Sequence, residues 1–156
     1  MNAKQSKIEA ASKKVVYDAK DKVLGRLGSE VAKSLLKGNE VAIINAQDAI
    51  ITGTKKVIVA RYKTRLNLQE KENPDHSPYW PRRSDMLVKR VIRGMLPYRK
   101  KPSGKAAYRR LRVYIGVPEI YKNTKPIEII SKNPKSIYVG YITMGHLSKL
   151  LGYDKE

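Results

Sequence analysis

The residues most able to bind a partner lie between Arg82 and Arg112, where twelve basic side chains face a single acid, Asp85. Surfaces of soluble proteins usually mix both signs of charge. A run of one sign therefore indicates a surface for a polyanion such as a nucleic acid. The side chains expected to contact phosphate are Arg82, Arg83, Lys89, Arg90, Arg93, Arg99, Lys100, Lys101, Lys105, Arg109 and Arg110.

Arginines and aromatic residues dominate this stretch. Eight of the twelve cations are arginine, whose planar guanidinium can bind phosphate through two hydrogen bonds and can stack on a base. Tyr79, Trp80, Tyr98 and Tyr108 are interleaved with them and could stack on unpaired bases. For Trp80 and Tyr108, simple packing beneath the loops is an equally good interpretation.

A helix must position the middle of the basic run. We expect it to begin with Ser84 as N-cap and to end at Leu96, before Pro97. At about 100° per residue, Lys89, Arg90 and Arg93 fall on the arc opposite the apolar one. Gly94 falls near the edge of the apolar arc. A bulky residue at position 94 should therefore impair packing or close approach to RNA. The apolar arc comprises Leu87, Val88, Val91, Ile92 and Met95.

The two ends of this helix are expected to add to the interface. Free backbone N–H groups at its N-terminus, beside Arg82 and Arg83, would favour phosphate. After Pro97, residues 99–104 are expected to form a basic loop. Helix and loop together could follow a phosphate backbone over several nucleotides.

The remaining pattern predicts an α/β fold with a mainly parallel sheet. Residues 1–14 read as a basic N-terminal arm, and residues 15–156 as a single α/β domain. Val41–Ile44 is continuously apolar, which is typical of a strand covered on both faces. The other predicted elements are strands at 15–17, 49–52 and 111–116, a possible strand at 127–130, helices at 25–37 and 55–65, and a helix from Thr143 to Leu151.

Composition narrows the classes of function. The 156 residues carry a formal net charge of +19 and contain no cysteine. Disulfides, cysteine-bound metals and thiol nucleophiles are thereby excluded. We see no leader segment and no apolar run long enough to span a bilayer. We expect no cofactor, no metal, no membrane and no small-molecule substrate.

The sequence disfavours three other classes of function. His76 and His146 are widely separated and lack a metal-ligand spacing, and Asp18 and Asp48 suit turn or cap roles, so an enzyme is disfavoured. Gly53-Thr54-Lys55 lacks the upstream glycine of a nucleotide-binding loop. A DNA-binding chromosomal protein fits the charge, but we find no helix-turn-helix pattern, and the aromatic residues suit unpaired RNA better.

The segment Val91-Ile92-Arg93-Gly94-Met95-Leu96-Pro97, followed by residues 111–116 (LRVYIG), resembles the universal large-subunit ribosomal protein family thirteen. Residues 23–29 (VLGRLGS), 41–46 (VAIINA) and 51–56 (ITGTKK) agree with it in the same order. Val117-Pro118 and the ending at residues 141–150 resemble the archaeal/eukaryotic branch.

This resemblance implies a three-layer α/β/α fold around a small, mainly parallel sheet of about four strands. It implies a non-enzymatic constituent of the large ribosomal subunit that binds rRNA, contacts neighbouring ribosomal proteins, and supports assembly and translation. The chain would act in the cytoplasm, as a monomer within the ribosome. Arg26, on the polar face of the first helix, joins the expected RNA contacts.

Overall fold

The computed structural model describes residues 13–127 and 140–153. Its strands and helices are, in chain order, β1 (Lys14–Asp18), α1 (Leu24–Leu36), β2 (Glu40–Ile44), β3 (Ile50–Thr52), α2 (Lys55–Leu66), α3 (Ser84–Met95), α4 (Pro102–Arg109), β4 (Leu111–Val113), β5 (Tyr141–Thr143) and α5 (Met144–Leu150). Short 3-10 helices lie at Ala46–Asp48, Pro74–His76 and Glu119–Tyr121.

The main sheet is parallel, with the strand order β1-β2-β4. Val41 pairs with Val15 on one side and with Leu111 on the other. β3 and β5 form a separate antiparallel pair. The expected α/β class with a mainly parallel sheet is therefore confirmed, although the strands form a set of three and a set of two.

The central strand β2 separates two layers of packing, because alternate residues of a strand point to opposite faces. Val41 and Ile43 join the main core with helix residues such as Leu27 and Leu87. Ala42 and Ile44 belong to a smaller cluster with Val16, against which Tyr114 and Tyr121 pack. Val41–Ile44 is buried throughout, as its continuous apolarity predicted.

Two predicted strands differ in extent. β4 stops at Val113 rather than Gly116, because the chain turns there through Gly116, which has a positive φ of 69°. Of the possible strand at 127–130, Ile127 forms an isolated parallel bridge to Tyr17, and residues 128–130 lie outside the described residues. The expected arm at 1–14 also falls mainly outside them, and Lys14 begins β1.

Candidate nucleic-acid interface

Helix α3 has the two faces that its sequence predicted, except that Met95 of the expected apolar arc is 40% exposed. Leu87, Val88 and Ile92 are buried in the main core. Lys89 and Arg93 are half-buried on the other side, as is Arg90. The helix is thus held by its apolar face while it carries three cations at the protein surface.

The N-terminus of α3 differs from the expectation by one residue. Arg83 occupies the N-cap position, and Ser84 is the first helical residue and is buried. Arg83 forms a two-point ion pair with Asp85, from Nε to Oδ1 at 3.0 Å and from Nη2 to Oδ2 at 2.6 Å. The Asp85 carboxylate also accepts the Met86 N–H at 2.7 Å. A carboxylate therefore already occupies this helix terminus, and a phosphate there would meet a like charge.

Arg82 is anchored by its backbone and exposed at its side chain. Its carbonyl oxygen accepts a hydrogen bond from the Ser148 hydroxyl at 2.7 Å, and Ser148 is buried in α5. The backbone before α3 is thereby tied to the C-terminal helix, while the Arg82 guanidinium remains accessible.

Trp80 packs against two guanidinium groups. The Cζ atom of Arg90 lies 3.8 Å from the centroid of the Trp80 ring, and that of Arg65 lies 4.8 Å from it. Arg90 also donates from Nη1 to the Tyr79 carbonyl at 2.9 Å. Of the two interpretations open for Trp80, the structure supports packing, here between a loop and the helices. Tyr79 is 89% exposed beside it.

Tyr98 and Tyr108 support the other two cations of α3. Their rings meet edge to face, with centroids 5.3 Å apart. The Arg93 Cζ lies 5.2 Å from the Tyr98 centroid, and the Lys89 Nζ lies 5.2 Å from the Tyr108 centroid. These tyrosines therefore hold cations in place, and burial raises the pKa of Tyr108.

The cations of this face also repel one another. Burial lowers the pKa of Arg90, and the nearby guanidinium groups of Arg93 and Arg65 lower it further. An arginine stays charged at neutral pH even so. A bound anion would relieve this repulsion, so the local electrostatics favour a polyanionic partner.

The expected basic loop at 99–104 is shorter than predicted, because α4 begins at Pro102. Proline suits the first position of a helix, where its missing N–H loses no hydrogen bond. The start of α4 rests on the turn after α3, where a Cβ atom at Gly104 would lie 2.5 Å from the carbonyl carbon of Pro97. The expected contacts here are exposed, namely Arg99, Lys100, Lys101, Lys105 and Arg109.

Gly94 lies at the edge of the apolar arc, but it makes no packing contact there. It is exposed, and a Cβ atom added there would meet nothing within 4 Å. Of the two roles expected for it, packing is therefore wrong, and close approach of RNA stays a prediction. Gly94 lies in a groove of about 500 Å³ that Arg90, Arg93, Arg99 and Lys100 also line.

Two expected contacts lie elsewhere. Arg110 is turned inward, where its Nη2 donates to the carbonyl oxygen of Leu35 at 2.9 Å at the end of α1. Arg26 is exposed on α1, and α1 packs on α3 where Gly28 meets Met95.

Arg65 was missed by the sequence reasoning. The available signal was the absence of any acidic residue between Ala49 and Gln69, a stretch that contains five cations.

The residues considered for enzymatic chemistry have local structural contacts. Asp18 Oδ1 accepts from the Lys20 N–H at 2.9 Å and from Asn45 Nδ2 at 3.0 Å. His76 and His146 are both exposed. Across residues 13–127 and 140–153, no group of three or more potential metal ligands comes together, and no helix is long and apolar enough to cross a membrane.

The described residues form a small α/β domain with a basic face supported by aromatic rings, and such a face is typical of nucleic-acid-binding surfaces. The sequence model described as "Ribosomal protein L13" matches residues 12–120. The chain is 44% identical over 138 residues to the large ribosomal subunit protein uL13 of Methanosphaera stadtmanae, covering 88% of this chain and 96% of that protein.

Two further relatives are also named uL13. The uL13 protein of Methanocaldococcus jannaschii is 44% identical over 88% of this chain and 96% of its own length. That of Methanopyrus kandleri is 41% identical over 89% of this chain and 87% of its own length. The chain therefore belongs to the ribosomal protein L13 family, and the recognised resemblance is confirmed. That its relatives are ribosomal proteins by name agrees with the expectation that it is not an enzyme.

Proposed function

We propose that this chain is a constituent of the large ribosomal subunit in the cytoplasm, where it binds rRNA through the basic face of α3, the following turn and α4. The observation that carries the proposal is the row of three α3 cations, each held against an aromatic ring on a helix whose other face is buried. Membership of the ribosomal protein L13 family supports rRNA as the RNA that is bound, and the large ribosomal subunit as the particle in which the chain acts.

The proposed contacts fall into two groups. Lys89, Arg90 and Arg93 are held by their rings, so they present charge in a fixed geometry that suits folded RNA. The second group consists of exposed cations, which would contact the phosphate backbone on either side of the first group. Its members are Arg26, Arg82, Arg99, Lys100, Lys101, Lys105 and Arg109.

Arg83 and Arg110 have a different role in this proposal. Arg83 is paired with Asp85, and Arg110 binds the end of α1. We infer that both act mainly by positioning the helices that carry the contacts. Substituting either should lower stability as well as affinity.

The chain would act as one domain from residue 15 onward, as a monomer within the ribosome. Residues 1–14 would be a basic arm beside the RNA. Neighbouring large-subunit proteins would complete the surroundings, and by organising the rRNA the chain would support subunit assembly and translation.

Sedimentation tests whether the chain is part of the large ribosomal subunit. Native extract is run on a sucrose gradient after a moderate-salt wash, and the chain is detected across the fractions. We expect comigration with the large subunit. A chain found free, or with chromosomal DNA, would contradict the proposal and favour a DNA-binding role.

Salt dependence tests the mode of binding. If about 6–10 phosphates are neutralised, affinity for large-subunit rRNA should fall on the order of a thousandfold or more between about 50 and 200 mM salt. A flat response would show that phosphate contacts do not dominate. Excess duplex DNA serves as the competitor, and it should fail to displace the rRNA at physiological salt.

A further inference from the structure

Helix α2 is a second basic element, and its lysines have no role in the interface described above. It carries five cations, Lys55, Lys56, Arg61, Lys63 and Arg65, and the whole stretch 49–69 has no acidic residue. Its buried residues are Ile58 and Tyr62. The helix is therefore attached to the fold along a narrow apolar stripe, and most of its circumference faces outward.

Four of the five cations of α2 lie along two different edges of the helix, and Lys55 lies about 90–100° from both. At about 100° per residue, Lys56 and Lys63 lie about 20° apart around the axis, and their mean direction is about 170° from that of Arg61 and Arg65. The arginine edge continues into the interface already described, because Arg65 packs on Trp80, which also carries Arg90. The lysine edge faces away from that interface.

The lysine edge borders a shallow groove of about 560 Å³ beside α5. Lys55, Lys56 and Lys63 line this groove, and its apolar part comprises Val59, Ala60 and Leu150. Leu150 is 37% exposed. None of the four ion pairs found in residues 13–127 and 140–153 involves a lysine of α2. Three unneutralised cations thus surround an open apolar floor.

We propose that this lysine edge binds the sugar-phosphate backbone of a second RNA segment, separate from the one on α3. The inference rests on the proposed rRNA binding. Three lysines without a counter-ion complement phosphate charge, and the shallow floor of Val59 and Leu150 can take the apolar side of a ribose. Because the two edges point in nearly opposite directions, α2 would lie between two RNA segments and hold them together.

Lysine protection tests this in the intact chain. The protein is acetylated at limiting reagent, free and bound to a transcript of the large-subunit rRNA of Methanocaldococcus jannaschii, and each lysine is quantified by mass spectrometry. We expect Lys55, Lys56 and Lys63 to be protected by RNA. The exposed Lys20 and Lys125 should react equally in both states.

The same measurement separates the two proposals. Protection of Lys89, Lys100, Lys101 and Lys105 without protection on α2 would overturn the second segment and leave the proposed function intact. If RNA protects none of these lysines, both the second RNA segment and the proposed function are overturned. Protection of the α2 lysines in assembled large subunits but not on naked rRNA would mean that a neighbouring protein covers them, which also overturns the inference.

A triple substitution adds a quantitative test. K55A/K56A/K63A should lower the salt dependence of binding to the same transcript by about two to three units of slope. Alanine preserves helix propensity, so the variant should fold. K20A/K71A/K125A removes the same charge from exposed positions outside the proposed contacts and is the matched control, which should leave the slope unchanged. Equal slopes for both variants would contradict the proposal.

Discussion

At the scale of single residues, two glycines near the interface have opposite surroundings. Gly104 lies against the backbone of Pro97 with no room for a side chain, whereas Gly94 has open space around it. Glycine inside a helix costs about 1 kcal/mol relative to alanine. No close contact explains that cost at Gly94, but unlike the equally open Gly25 it lines a groove together with four cations. An RNA backbone entering the groove beside it is the explanation that we favour.

Gly94→Ala should therefore stabilise the protein by up to about 1 kcal/mol, while Gly94→Leu should fold but bind rRNA more weakly because the side chain fills the groove. Urea unfolding and RNA titration measure the two effects. Gly25→Ala, at another exposed helical glycine with nothing within 4 Å, is the control for helix propensity. Undiminished binding by Gly94→Leu would remove the case for close approach.

Gly104→Ala should destabilise the protein, by about 1–3 kcal/mol if the contact behaves like other overpacked sites. The added methyl group would meet the Pro97 carbonyl, which is backbone and cannot rotate away. The urea midpoint gives the effect, with Ala106→Gly on the exposed side of α4 as a comparison that measures helix propensity alone. A Gly104→Ala midpoint equal to the parent's would contradict the close contact.

At the scale of elements, aromatic rings join loops and helices that the sequence keeps apart. Trp80 joins the loop before α3 to Arg65 of α2 and Arg90 of α3. Tyr98 and Tyr108 join the turn after α3 to α4 while supporting Arg93 and Lys89. These rings determine where the cations lie relative to one another.

Trp80→Ala should therefore reduce both stability and RNA affinity. Two cation–π contacts are worth about 0.5–1 kcal/mol each at exposed sites, so we expect a loss of about 1–2 kcal/mol in unfolding free energy. Limited proteolysis should also cleave residues 67–83 faster. Trp80→Phe keeps an aromatic face and should recover part of each loss. If alanine and phenylalanine behave alike, the ring does not act through the guanidinium groups.

At the scale of the whole molecule, the net charge of +19 opposes the compact state and favours an anionic partner. The ion pairs seen in the described residues are few, and three of the four join partners with largely exposed side chains. Such surface pairs contribute little. Among the described residues, self-repulsion is therefore only weakly offset.

Salt should consequently act in opposite directions on folding and on binding. Raising the salt from about 50 to 200 mM should screen the repulsion and raise the urea midpoint of the free chain, while rRNA affinity falls. The variant R99Q/K100Q/K101Q, in which three cations become neutral glutamines, should be more stable than the parent at low salt. It should also bind RNA more weakly. A parent midpoint that falls with added salt would contradict this account.

The sequence alone determined the α/β class, the buried central strand, the two faces of α3 and the family. Each follows from a local pattern: a continuous apolar run at Val41–Ile44, the helical spacing of Leu87, Val88 and Ile92, and the motif that ends at Pro97. Such patterns depend on neighbours along the chain, which the sequence displays directly.

The tertiary structure alone decided how the cations are held and which of them face outward. Arg110 turns inward to Leu35, 75 residues away in the chain, and Arg65 meets Arg90 across Trp80. Gly104 rather than Gly94 proved to be the glycine of close contact. These outcomes depend on contacts between elements distant in sequence, and helical periodicity shows which side of a helix a residue occupies but not what that side meets.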